Sequence, residues 1–227
     1  MTVLLWGRAG EPVISATARA CARLGVDAVA ADGEDLVSVD LGGDLVTRDG
    51  RRVRMAGITG MLVRPEGRVT SAAGIAGYQA LSAWAELTSA AVLNRPSAAA
   101  SNRSKPYQLG PIRNAGFAVP DTLVTTSPDD VYAFQAEHYK IVYKSVSGVR
   151  SVVAVFDPDD KARLDDVAVC PTQFQQFIDG IDHRVHVVGD RVIACRIDST
   201  AVDYRYPAAS GGTTTVSYTH LTLPTKA

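Results

Sequence analysis

Apolar and polar positions in the N-terminal part of the chain follow two periods. Val3-Leu4-Leu5-Trp6 is a short apolar run of strand length, and Gly7-Arg8-Ala9-Gly10 follows it as a turn. Val13, Ala16, Ala20 and Leu24 then recur at helical spacing until Gly25 stops the pattern. Val26 to Ala30 reads as a second strand, so this stretch is a βαβ unit. From Leu36 to Arg54 the alternation has a period of two around Gly42-Gly43 and Asp49-Gly50, the pattern of hairpins. Gly60 to Pro65 reads as a buried strand stopped by proline, and Ser71 to Leu93 as one long helix.

Asn94-Arg95-Pro96-Ser97 marks a change of texture and a domain boundary. Beyond it, a helix from Lys105 to Ala115 ends at Gly116, the residue type that accepts a left-handed cap. Thr122 to Thr125 is a strand. Ser127 caps the next helix, with Pro128 at its first position. Lys140 to Lys144 and Val152 to Phe156 are strands joined by the small-residue loop Ser145-Val146-Ser147-Gly148. A hairpin from Arg184 to Ile197 turns at Gly189-Asp190.

Composition narrows the function classes. Lys and Arg total 23 against 24 Asp and Glu, a balance that gives no electrostatic reason for a nucleic-acid or anionic-membrane partner. At 46% hydrophobic and 21% charged residues the chain is an ordinary globular one. The three cysteines, Cys21, Cys170 and Cys195, are odd in number and far apart, which argues against a disulfide framework or zinc cage and for a reducing cytoplasm. No secretory signal or uniformly apolar span is present. Gly7–Gly10 lacks the third glycine and the spacing of a dinucleotide fingerprint, so a plain βα turn is the better reading there. His183 and His186 would fall on opposite faces of a strand, so a shared metal is not expected there. Cys170 has no acid–base partner nearby and reads as an inert thiol.

Several segments, in order, resemble the ATP-grasp superfamily, most closely its RimK-type ligases and the ATP-grasp maturases of ribosomally made peptides. They are Asn102-Arg103-Ser104-Lys105 with Gln108-Leu109; Gly116 with Val119-Pro120-Asp121-Thr122; Lys144 before its small-residue loop; Cys170-Pro171 with Phe174-Gln175-Gln176-Phe177-Ile178; Asp182-His183-Arg184-Val185 with Val187-Val188-Gly189-Asp190; and Ile197-Asp198-Ser199 with Asp203-Tyr204-Arg205. The resemblance implies an α/β N-terminal domain, residues 1–94, followed by an incomplete α+β ATP-grasp domain. Residues 95–168 would be its first lobe with the phosphate loop, and 169–215 part of its second lobe with the adenine hinge.

The implied activity is ATP-dependent carboxylate–amine ligation through an acyl phosphate, with a peptide or small-molecule carboxylate and an amine nucleophile as partners. By the resemblance, Lys105 and Lys144 bind the triphosphate, Ser147 and Gly148 belong to the loop covering it, and Gln176, Phe177 and Ile178 meet adenine. Asp182 holds the ribose, and Arg205 contacts the γ- or acyl phosphate as the catalytic residue. A lysine suits phosphate as a compact donor, and arginine as a planar fork.

The family's acidic Mg²⁺ ligands have no counterpart, and the likeness stops near residues 210–214. Residues 216–227 contain no Asp or Glu and are similar to translated adapter sequence, so they read as a non-native tail. From this the expectation is a fragment lacking its metal ligands, inactive as it stands, with an unpaired sheet edge open to association. A non-catalytic nucleotide- or partner-binding module is the alternative. A weaker one places function in a Rossmann-like domain at residues 1–93. The acid, the nucleophile and the oligomeric state stay open.

Overall fold

The computed structural model describes residues 1–40, 42–65, 69–147, 151–157, 159–207 and 212–222. They form two compact units, residues 1–100 and 101–227.

Unit one contains β1 (Thr2–Trp6), α1 (Pro12–Arg23), β2 (Asp27–Ala31), β3 (Leu36–Val39), β4 (Asp44–Thr47), β5 (Arg52–Arg54), β6 (Ile58–Val63), α2 (Ala72–Leu87) and β7 (Ala91–Leu93). A parallel sheet of order β2-β1-β6-β7 forms its centre, and β3-β4-β5 is a separate antiparallel meander. Leu4, Trp6, Val29, Met61, Leu81 and Trp84 are buried in one core with Leu45 and Met55 of the meander side. The βαβ unit and the hairpins thus follow the sequence pattern.

The long helix does not. α2 ends at Leu87, and Ala91–Leu93 continues as the edge strand of the parallel sheet. The break is enforced from outside the apolar run. Arg95 donates to the carbonyls of Ala85, Glu86 (3.2 Å), Thr88 (2.9 Å) and Ala90 (3.4 Å), capturing acceptors that a helix end leaves open. Thr88 Oγ1 also accepts the Ala90 N–H at 3.1 Å. At the other end of the unit, Glu11 accepts the Ile14 N–H at 2.8 Å, so the protein's own carboxylate occupies the N-terminus of α1 after Gly7–Gly10.

Unit two contains α3 (Lys105–Asn114), β8 (Thr122–Thr125), α4 (Pro128–His138), β9 (Ile141–Ser145), β10 (Ala154–Val155), β11 (Thr172–Gln176), β12 (Asp182–Val188), β13 (Arg191–Ser199) and β14 (Thr214–Thr222). Gly116, at φ +88°, follows α3. The strand expected over Val152 to Phe156 is only the two residues of β10. An antiparallel sheet of order β10-β9-β11-β8 carries on one face Ile141, Phe156 and Phe174, packed with Val131 of α4 and with Leu164 and Val167 of the 3-10 segment Asp159–Ala168. Alternation along the strands puts Val142, Lys144, Gln173, Gln175 and Thr122 on the other face.

β12, β13 and β14 form a second antiparallel sheet. β14 pairs with every residue of β13 from Arg191 to Ser199, so through Thr222 the expected tail is a strand and the β13 edge is covered, not open. Cys195 is buried in this sheet, whereas Cys170 is exposed. No helix among the described residues is long and apolar enough to cross a membrane.

Candidate functional site

Lys105 is the first residue of α3, which Ser104 caps through its side chain; Lys144 lies near the end of β9. Ser104 and Ser147 form an isolated antiparallel bridge, and the Lys105 N–H donates to the Val146 carbonyl at 3.3 Å, stitching the start of α3 to the loop after β9. The Lys105 ammonium donates to the carbonyls of Ser147 and Ser145, the latter at 3.3 Å. Lys144 donates to Gln175 Oε1 across the sheet.

Arg205 completes the cluster. Its guanidinium grips Asp203 through Nε (2.8 Å) and Nη2 (2.6 Å) and donates to the Ser151 carbonyl at 2.8 Å. Asp203 is buried and also accepts the Val153 N–H at 3.1 Å, so it ties Arg205 to the strand side of the loop.

The electrostatics show the three cations sharing one region. Burial is the main force lowering the Lys144 pKa, and Lys105 and Arg205 lower it further, against an opposing pull from Asp203. Burial, then Arg205, lowers that of Lys105. The hydrogen bonds from Arg205 hold the Asp203 carboxyl below the ordinary range. Among these groups one carboxylate faces three cations, an arrangement that favours a polyanion.

The remaining expected residues sit beyond the cluster. Gln176 ends β11, and its N–H donates to the Asp121 carbonyl at 3.0 Å. The Phe177 N–H donates to the Lys140 carbonyl at 3.1 Å, and the Lys140 ammonium lies 3.7 Å from the centre of the Phe177 ring. Ile178 is exposed. Asp182 opens β12 opposite Ile197 and lines, with Asp198, Ser199 and Thr213, a pocket of about 340 Å³. Gly148 lies outside the described residues. Sequence alone assigns Asp203 and Gln175 no role of their own; the D-x-R spacing of Asp203 and Arg205 is the available signal for the first. Among the described residues no group of three or more His, Cys, Asp or Glu is placed to hold a metal ion.

With 22% identity and a TM-score of 0.74, the chain matches the ATP-grasp ligase PsnB, solved with a phosphomimetic variant of its minimal precursor, Mg and ADP; the match covers 98% of this chain and 78% of that one. The fold is ATP-grasp. The macrocyclase MdnC of Microcystis aeruginosa MRC, bound with its precursor peptide MdnA, matches at TM-score 0.75 and 19% identity over 99% of this chain and 79% of that one. A Chryseobacterium gregarium RiPP-associated ATP-grasp ligase, in complex with ADP and a leader and core peptide, matches at 0.73 and 22% over 94% and 76%. No protein-family model matches the sequence, and no curated protein does. Within the ATP-grasp fold, Lys105 lies at the start of α3, Lys144 on β9 and Arg205 on the segment after β13.

Proposed function

We propose that unit two binds ATP and that the protein is an ATP-dependent carboxylate–amine ligase acting on a peptide. The observation that carries the reading is the convergence of Lys105, Lys144 and Arg205 around the Ser145–Ser147 loop, with Asp203 the one carboxylate among the described residues of the cluster. Similarity of fold to ligases solved with ADP and precursor peptides supports it.

In this reading Lys105 and Lys144 hold the phosphates. The loop carbonyls that now accept from Lys105 give way to phosphate oxygens, which are stronger acceptors. Arg205, pre-set by Asp203, faces the γ-phosphoryl group and the acceptor carboxylate. Transfer moves the phosphoryl from ATP to a carboxylate oxygen, giving ADP and an acyl phosphate. An amine then attacks the acyl carbon, phosphate departs, and the amine loses a proton. Such chemistry needs mostly positioning and charge neutralisation. The Gln176 and Phe177 N–H groups are engaged within the fold, so the hinge offers adenine its carbonyls and the Ile178 N–H. Asp182 serves the ribose hydroxyls as a two-oxygen acceptor. The described acids do not form a Mg²⁺ ligand set.

The test is calorimetry of ATP binding to the wild type and to Lys144→Met, which keeps the stem and removes the charge. A loss of roughly 1.5–3 kcal/mol is expected. Unchanged affinity would sink the reading.

A further inference from the structure

We infer that Gln175 is the positioning residue of the Lys144 ammonium and that Thr122 fixes the direction of its amide. The inference rests on Lys144 being a nucleotide-binding cation and adds the means by which the sheet holds it.

Gln175 is buried, 6% exposed, on the same sheet face as Lys144. Its Oε1 accepts from the Lys144 ammonium, and its Nε2 donates to Thr122 Oγ1 at 2.8 Å. The Thr122 hydroxyl in turn donates to the Pro120 carbonyl at 2.9 Å. The last bond decides the rest. A hydroxyl has one hydrogen, and it is committed to Pro120, so Thr122 can only accept from Gln175. Nε2 therefore faces β8 and Oε1 faces β9. The opposite amide orientation would set an NH₂ against an ammonium and an oxygen against a lone pair. The bonds form one chain from β8 through β11 to β9, and each donor polarises the next.

An amide suits this place better than the obvious alternatives. A carboxylate would neutralise Lys144 and compete with a phosphate for it. An apolar side chain would leave a half-buried ammonium, already pushed toward deprotonation by burial, Lys105 and Arg205, without an acceptor. The neutral Oε1 supports the charged form while leaving its charge uncompensated, and two ammonium hydrogens remain for an anion.

The experiment measures two things on the whole chain. One is the Lys144 pKa, from the pH titration of its side-chain carbon resonance without nucleotide. The other is ADP affinity by calorimetry. Gln175→Met should move the Lys144 titration to lower pH and weaken ADP about tenfold, the factor one charge-assisted hydrogen bond carries. Thr122→Val should shift both the same way by a smaller factor, and the double variant should match Gln175→Met alone, because a broken chain cannot be broken again. Gln175→Glu should raise the Lys144 pKa yet weaken ADP. An unmoved Lys144 titration in Gln175→Met, or additive losses in the double variant, overturns the inference. If Gln175→Met does not fold, the near-isosteric Thr122→Val decides through the same titration. Failure of the nucleotide reading looks different: Lys144→Met keeps its ADP affinity, and the titration shifts alone then judge the relay.

Discussion

Replacing Asp203 with Asn isolates the anchor beneath Arg205. The carboxylate accepts the Val153 N–H (3.1 Å), the Arg205 N–H (3.1 Å), Arg205 Nε (2.8 Å) and Arg205 Nη2 (2.6 Å). Asparagine keeps one oxygen and turns an NH₂ toward donors, so about half of these bonds are lost. A buried bond from a backbone N–H to a charged oxygen contributes about 1.5–3 kcal/mol. The guanidinium side adds less, because the Arg205 side chain is 41% exposed and regains water when released; about 0.2–1 kcal/mol is the range for such pairs. The expected destabilisation is therefore about 2–3 kcal/mol. Urea denaturation followed by circular dichroism should show it as a midpoint lowered by about 1 M, for an ordinary dependence on urea. The pH dependence gives a second check. Hydrogen bonds from Arg205 lower the folded-state pKa of Asp203, so its contribution is complete above the unfolded value of about 3.9 and fades as pH falls through the folded one. The gap between wild type and variant should close in acid. Equal midpoints at neutral pH, or a gap that persists in strong acid, would refute the argument.

Other expectations are as direct. Arg95→Ala should lower the stability of unit one by about 1–2 kcal/mol, since the carbonyls of Ala85, Glu86, Thr88 and Ala90 lose a shared donor; Trp6 and Trp84, both in unit one, report it by fluorescence, and an unchanged transition argues against the cap. Gln173 is 1% exposed, and neither of its side-chain polar atoms has a partner among the described residues, so Gln173→Leu should stabilise by about 1–3 kcal/mol; a lower midpoint would show that the amide is satisfied. Burial chiefly lowers the Lys144 pKa, so folding penalises its charged form until pH rises through the folded value toward about 10.4. The wild type should gain thermal stability over Lys144→Met across that alkaline window, and parallel curves would contradict it.

The parallel centre of unit one was legible because its strands and α1 each repeat one period and stop at Gly7, Gly25 and Pro65. The error at Ser71–Leu93 has a physical origin. Alanine-rich spacing continues past Leu87, and what stops the helix is Arg95, whose side chain reaches back to it after the chain has turned. A window over the helix cannot contain that information. The strand at residues 214–222 was missed for a related reason. Its Thr, Val and Tyr favour a strand, but residues 216–227 read as a non-native tail, and the pairing with β13 that uses them is non-local. In the site, lysines and arginine carry a recognisable chemistry, and their order along the chain could be read. Gln175 and Asp203 act on other side chains, through register and burial, and neither property is written at their own positions.

The way each cation is held suits the proposed nucleotide site better than a set of ion pairs would. Lys105 is satisfied by loop carbonyls, Lys144 by an amide and Arg205 by one carboxylate together with a carbonyl. Neutral acceptors restrain the lysines in position without cancelling their charge, so the potential they create persists. Three carboxylates here would bind the cations more tightly, and an incoming polyanion would have to displace them against charge. One carboxylate is what Arg205 requires, because a planar fork on an exposed segment loses orientation without a bidentate partner. Burial first, and the neighbouring cations second, lower the pKa values of Lys105 and Lys144. A bound polyphosphate would relieve the repulsive part, so the repulsion stored in the free protein contributes to binding once the anion arrives.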